Sequence, residues 1–533
     1  MWTVASISLT DYADKSHPLQ SCCRERPIHS HMAFLPSHTA QNVQPHFILL
    51  ISIVKIALFL HLVAHFEYFC ATNNKQEKQK LFLNIFIMKR IFSTIVFASL
   101  ALSSFAGGLL TNTNQSASFV RNPMRYASLE TDAIYFNPAG TAFFKEGWAL
   151  SANWQMVWQD RDVENLLSPD KKKFEGKVYV PCMPTILASY KTGDWTFSGF
   201  FGMPGGGGKA EFNEGLPLFN NLIGQLGGSL GAMAPVPMTV YGASQFESTQ
   251  YMFSLQLGAA YKISDNWSVY GGIRGNYVNN NYMGTIKALA NIPAMGMNGT
   301  DVMAVNIDMD QSGISFTPVI GVDYKVGDFN FAAKYEFRAV NHLENDTKQM
   351  EIKASDAMNQ IGMGQVIEGA AGGALGSYLG GFEDGKSLRS DAPAMLSLAG
   401  SWQATSWFKA MIGGVYYFDK DAKVESLLGG DNNRNLDHNT YELLAGVEFN
   451  VTKNLLLSAG VQFSDFGITD QYISDISFTN DSFMTGLGAK YSFTENLDLN
   501  VGFCYASYAS YKTQASNYIR NTYNATVGVD FRF

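Results

Sequence analysis

Along the last stretch of the chain, Tyr523, Ala525, Val527, Val529, Phe531 and Phe533 alternate with Asn524, Thr526, Gly528, Asp530 and Arg532. Successive side chains of a β-strand point to opposite faces, so this stretch has one apolar face and one polar face. Its length matches the ~9–11 residues that a tilted strand needs to cross a bilayer. The same alternation recurs upstream. Tyr251, Phe253, Leu255, Leu257, Ala259 and Tyr261 alternate with Met252, Ser254, Gln256, Gly258, Ala260 and Lys262. Tyr441, Leu443, Ala445, Val447 and Phe449 alternate with Glu442, Leu444, Gly446, Glu448 and Asn450. A water-soluble sandwich also alternates, but its polar phase faces water and its apolar phase a core. Here the small and polar phase is rich in glycine, and aromatic residues gather toward the strand ends. That suits a lumen on one side and lipid on the other, with aromatic girdles at the interfaces.

The connections follow the same logic. Short turns such as Ser264-Asp265-Asn266, Gly327-Asp328 and Thr494-Glu495-Asn496 alternate with longer loops at 160–176, 204–250, 281–312, 339–393, 419–439, 467–481 and 507–520. The strands are expected at 148–159, 177–190, 195–203, 251–263, 267–280, 313–326, 329–338, 394–404, 408–418, 440–451, 455–466, 482–493, 497–506 and 522–533. The pattern therefore predicts an all-β fold, a 14-stranded antiparallel transmembrane β-barrel occupying 148–533. An even strand number leaves both barrel ends on the periplasmic side, in agreement with the turn pattern. The expected location is the bacterial outer membrane, with its lipid as one partner. The aromatic end at Phe533 resembles the terminal strand that the barrel assembly machinery recognises, which makes that machinery an expected partner.

Composition divides the chain. None of the 49 glycines precedes Gly107, whereas seven of the nine histidines and three of the five cysteines precede Met88. Met88-Lys89-Arg90 is a basic start, Ile91 to Leu102 an apolar run, and Ser104-Phe105-Ala106 a small-x-small cleavage site. Residues 88–106 thus read as a signal peptide, residues 1–87 as an upstream extension from an over-long gene model, and the mature chain as starting near Gly107. The competing reading of 1–87 is a genuine membrane-anchored extension, since Phe47 to Ala64 is an apolar run interrupted by Lys55 and His61.

Catalytic chemistry has little support. After residue 107 only His342 and His438 remain, both in loops and without metal or triad spacing. Cys182 and Cys504 are too few for a disulfide framework or a zinc site. A net charge of −8 argues against nucleic acid. The expectation is a non-enzyme with no cofactor and no metal.

Residues 107–147 precede the first strand and do not alternate, as befits a periplasmic arm or a plug. They contain Asn137-Pro138-Ala139, which resembles the Asn-Pro-Ala hatch motif of the outer-membrane long-chain fatty acid and hydrophobic-compound transporter family (FadL/TodX/OmpP1-like). The strand number, the segment Phe200-Phe201-Gly202-Met203-Pro204-Gly205 and the block Pro393-Ala394-Met395-Leu396-Ser397-Leu398 are similar to that family as well. Near Arg121 the pattern departs, with Asn122-Pro123 in place of the usual small residues. The resemblance implies an N-terminal hatch over 107–147, a hydrophobic small-molecule ligand, and sideways release through a gap at a kinked third strand.

Two features of the residues themselves bear on that mechanism. Met203, Pro204 and Gly205 end the third expected strand in a poorly pairing stretch, a candidate gate. An ordinary loop start is the alternative. Leu216, Phe219, Leu222 and Ile223 recur at helical spacing in the next loop, either lining a ligand groove or packing a helix on the rim. A second, glycine-weakened helix is expected in the loop from Ala354 to Tyr378.

Charge placement adds a candidate head-group site. On the polar phase, Arg274, Lys334 and Arg338 should reach the middle or upper lumen, where a carboxylate needs a cationic partner. The alternative is that Glu336 already pairs with them. A monomeric fatty acid transporter is the expected function. An aromatic-hydrocarbon channel of the same fold and a general porin are the rivals.

Overall fold

The computed structural model describes residues 116–233, 237–428 and 435–533. The expected signal peptide, the expected upstream extension and the expected mature start near Gly107 lie outside them. Fourteen strands form the wall. They are β1 Gly147–Asn165, β2 Lys177–Thr192, β3 Trp195–Phe212, β4 Thr239–Lys262, β5 Trp267–Ile292, β6 Met297–Val326 and β7 Phe329–Glu336. The second half comprises β8 Met395–Gln403, β9 Phe408–Tyr417, β10 Tyr441–Asn450, β11 Leu455–Asp465, β12 Ser482–Thr494, β13 Leu497–Tyr508 and β14 Ser516–Arg532. Each pairs antiparallel with the next. The last returns to the first, from Ala149↔Arg532 to Asn165↔Ser516. Closure removes free edges, the condition for a sheet to stand in hydrocarbon. No helix among the described residues is long and apolar enough to cross a membrane.

Alternation sorts the two faces. In β14, Thr526 and Asp530 are buried inward while Val527, Val529 and Phe531 point out. Ile314, Phe316, Leu443 and Ile412 are similarly exposed on the outer surface. At the short-turn end, Trp148 and Tyr190 pack in tilted geometry with ring centroids 5.0 Å apart, Trp267 and Tyr324 at 4.4 Å, and Phe408 and Phe449 at 5.2 Å. These cross-strand pairs form one aromatic girdle.

All fourteen expected strands are present, yet several run far beyond their expected ends on the long-loop side. Most of 239–250 and 281–312 is strand, with Ser248↔Tyr282 and Thr285↔Asn306 in register. Within the expected loop 339–393, His342–Ala354 is a further strand that pairs with the upper part of β6. Ladder hydrogen bonds continue above the membrane, where no lipid face is left and the apolar phase turns into a rim core, with Ile286, Ala288, Ala290, Met303, Val305, Ile307 and Met309 buried. The short helices α1 Ala117–Arg121 and α2 Ala133–Phe136 belong to the N-terminal segment, whereas three helices lie on the long-loop side, α3 Pro217–Met233, α4 Asp356–Gln360 and α5 Gly364–Leu379.

Candidate functional site

Residues 116–144 pack against the inward faces of the wall strands, in the half nearer the short turns. Ser116 caps α1 by accepting from the Phe119 amide, and the Ala117 amide donates to Asn153 of β1. The glycines of the inner phase make room for this contact. A Cβ on Gly502 would lie 2.7 Å from the Arg121 amide nitrogen, and one on Gly486 would lie 2.5 Å from the Val120 carbonyl. Small residues on this phase are thus a condition for seating the segment.

Charge is balanced there. Arg121 and Arg125, both fully buried, each donate at 2.8 Å to the same Glu448 oxygen of β10. Arg125 also reaches Asp132 at 2.6 Å and Glu130 at 2.6 Å. Burial alone would raise the Glu130 carboxyl, but Lys490, Arg125 and Arg121 hold it well below the usual carboxylate range. The Asn-Pro-Ala stretch lies in this segment. Asn137 donates to Asp323 of β6, Pro138 opens a 3-10 turn, and the Ala139 carbonyl accepts from Ser268 of β5 at 2.8 Å.

Of the three expected head-group cations, two share one carboxylate partner, Glu336. Arg274 donates to both Glu336 oxygens at 2.6 and 3.0 Å, and Lys334 to Glu336 at 2.7 Å and to the Tyr135 carbonyl at 2.9 Å. They sit against the N-terminal segment, below the cavity described next. Arg338 departs from expectation. β7 leaves the ladder after Glu336, so alternation fails, and Arg338 is exposed and donates to the Asp421 carbonyl of another loop.

The third strand does not end at Met203 but continues to Phe212. Its pairing with β2 is what breaks. Register runs from Thr192↔Trp195 to Ile186↔Phe201, stops, and resumes only at Val178↔Ala210. Pro181 and Pro184 on one side and Pro204 on the other lack amide donors. On the far side, β3 meets β4 through bulges at Gly202/Gly205 and Gly206/Gly208, where Gly206 and Gly208 adopt φ of +99° and +82°. Met203, Pro204 and Gly205 therefore lie within the interruption.

Above the N-terminal segment is a cavity of about 220 Å³. Its walls include Gln155, Met183, Gly206, Met252 and Tyr417. Met183 and Gly206 stand on the two sides of the interrupted ladder. Leu216, Phe219, Leu222 and Ile223 are not among the cavity-lining residues. They are buried in the rim cluster beneath α3, with Phe219 packed on Phe246 of β4 at 5.4 Å. The start of α3 is tied across the barrel mouth, because the Leu218 amide and the Tyr518 hydroxyl both donate to Asp475. Burial pushes the Asp475 carboxyl up.

None of the ligand-site residues expected from the sequence lines this cavity, and the charged lining residues that sequence reading passed over include Arg161 and Arg520. The expected strands stopped at 159 and resumed at 522. One more step of the same alternation places both on the inner phase.

A family model described as outer membrane protein transport protein (OMPP1/FadL/TodX) matches residues 98–532. No curated protein sequence matches the chain. Among solved structures, a Pseudomonas aeruginosa FadL homologue aligns at 15% identity and a TM-score of 0.56, covering 80% of this chain and 100% of that one. The Pseudomonas putida toluene transporter TodX aligns at 12% identity and a TM-score of 0.51, again covering 80% and 100%. At such identities the structural likeness concerns the fold.

Proposed function

The chain belongs to the outer membrane transport protein family (OMPP1/FadL/TodX), whose members carry hydrophobic compounds, and on that premise we propose that its cargo is a long-chain fatty acid. Ligand enters from the extracellular rim, occupies the cavity above the N-terminal segment, and leaves sideways between β2 and β3. The segment acts as a hatch that keeps the lower lumen shut.

One observation carries this reading: the cavity wall includes Met183 and Gly206, where the ladder between β2 and β3 is interrupted. Unpaired backbone polar groups facing hydrocarbon cost several kcal/mol each, so a barrel without use for such a defect would close it. Here three prolines and two bulges keep it unpaired. A general porin fits poorly, because the segment and its ion pairs fill the lower lumen. An aromatic hydrocarbon remains the rival cargo.

Replacing Pro204–Gly207 with strand-forming residues should restore pairing and slow uptake of a labelled long-chain fatty acid by cells, at equal surface expression. Unchanged uptake would mean that ligand leaves by another route.

A further inference from the structure

Arg161 of β1 and Arg520 of β14 are register partners in adjacent strands, and both line the cavity. Like charges placed directly across a sheet repel one another. Each guanidinium rests on an aromatic ring, Arg161 over Phe478 and Arg520 over Tyr508, both at 4.5 Å. Arg161 donates to the Phe478 carbonyl at 2.8 Å. The Arg520 Nε is buried without an acceptor, and among the described residues no carboxylate pairs with either side chain. The other charged groups lining the cavity are engaged within the protein: Arg389 holds Asp391 at 2.5 Å, Lys423 holds Glu425 at 2.7 Å, and Asp419 accepts from the Thr440 amide at 3.1 Å. Thr522, the next inward residue of β14, also lines the cavity and has a buried hydroxyl without a partner.

We propose that Arg161, Arg520 and Thr522 form an anion-binding site on the upper cavity wall, which takes the carboxylate of an amphiphilic ligand. The inference rests on the reading of the barrel as a carrier of hydrophobic compounds and narrows its cargo to acids. Two planar guanidinium forks match the oxygens of a carboxylate, and an anion between them removes their mutual repulsion. From Arg161 to Gln155 is six residues along β1, about 20 Å at ~3.3 Å per residue. Gln155 is opposite Met183, at the interrupted ladder. A head group held by the arginines thus leaves a path several aromatic rings long for an apolar tail, ending where the wall is unpaired.

The test uses purified barrel in detergent and compares a long-chain carboxylate, its methyl ester and inorganic phosphate as competitor. Wild-type protein should bind the acid about ten- to a hundredfold tighter than the ester, as charge-assisted hydrogen bonds predict. Arg161→Gln and Arg520→Gln should erase that preference and leave ester affinity unchanged, while Arg161→Lys retains most of it. Both Gln variants remove a repulsion, so folding is expected, and circular dichroism checks it. Equal losses for acid and ester, or an undiminished preference, would overturn the site. Displacement of the acid by millimolar phosphate would overturn the carboxylate assignment. If wild type binds acid and ester equally, the site fails and the carrier reading stands; if it binds neither, the carrier reading fails with it.

Discussion

In the lower lumen, Arg121, Arg125, Arg274 and Lys334 each meet carboxylates at 3.0 Å or less, whereas in the upper lumen Arg161 and Arg520 meet aromatic rings and a backbone carbonyl. The difference separates two uses of buried charge. Below, each of these cations has a carboxylate partner within the protein, so the charges orient and hold the N-terminal segment. Above, compensation is left incomplete next to a cavity. A buried cation with no internal anion is costly unless something else supplies the anion.

The contrast breaks most visibly at Arg125. Arg125→Ala would strand Glu448, Asp132 and Glu130 without one of their cations, and unfolding of the detergent-solubilised barrel should show a loss of about 3–5 kcal/mol. Arg161→Ala, which strands no carboxylate, should cost about 1 kcal/mol or less. Similar losses from both would erase the distinction.

A smaller effect is expected at Arg274, where Glu336 keeps Lys334 as a second cation. Arg274→Ala should cost about 3 kcal/mol. It should also weaken uptake of a fatty acid and of its methyl ester to the same degree. A loss confined to the acid would move the head-group site down to the N-terminal segment.

The smallest effect sharpens the upper half. Burial and the neighbouring Asp465 push the Asp481 carboxyl, just before β12, up to about 7. A folded value above the unfolded ~3.9 means the native state holds the proton more tightly. Native stability should therefore fall as pH rises from about 4 to 7 and stay level above. Asp481→Asn should gain on the order of 1 kcal/mol at pH 8, after allowance for solvent screening, and nothing below pH 4. Unfolding measured across that range checks the sign.

Much of the fold was legible along the chain. Fourteen alternating segments, short turns between pairs and a glycine-rich inner phase correspond to the wall strands one by one, because lipid on one face enforces the period of two. Legibility ended where lipid ended. In the upper part of β6 the period persists but its sense reverses, with Met303, Val305, Ile307 and Met309 buried and Asn306, Asp308 and Asp310 on the other face, and Arg338 was misplaced because β7 leaves the ladder two residues earlier. Leu216, Phe219, Leu222 and Ile223 announced a helix, but its spacing is the same for a rim core as for a ligand groove.

The sequence by itself determined the barrel, its strand number and which side chains face inward, since these follow from local alternation. Which inward charges are spent and which remain open was decided by the tertiary structure alone. Arg274 meets Glu336 across 62 residues of chain, and Arg121 meets Glu448 across 327. Arg161 and Arg520 become neighbours only when the last strand closes on the first. Coulomb energy depends on distance in space, and in a closed sheet that distance is set by register and closure.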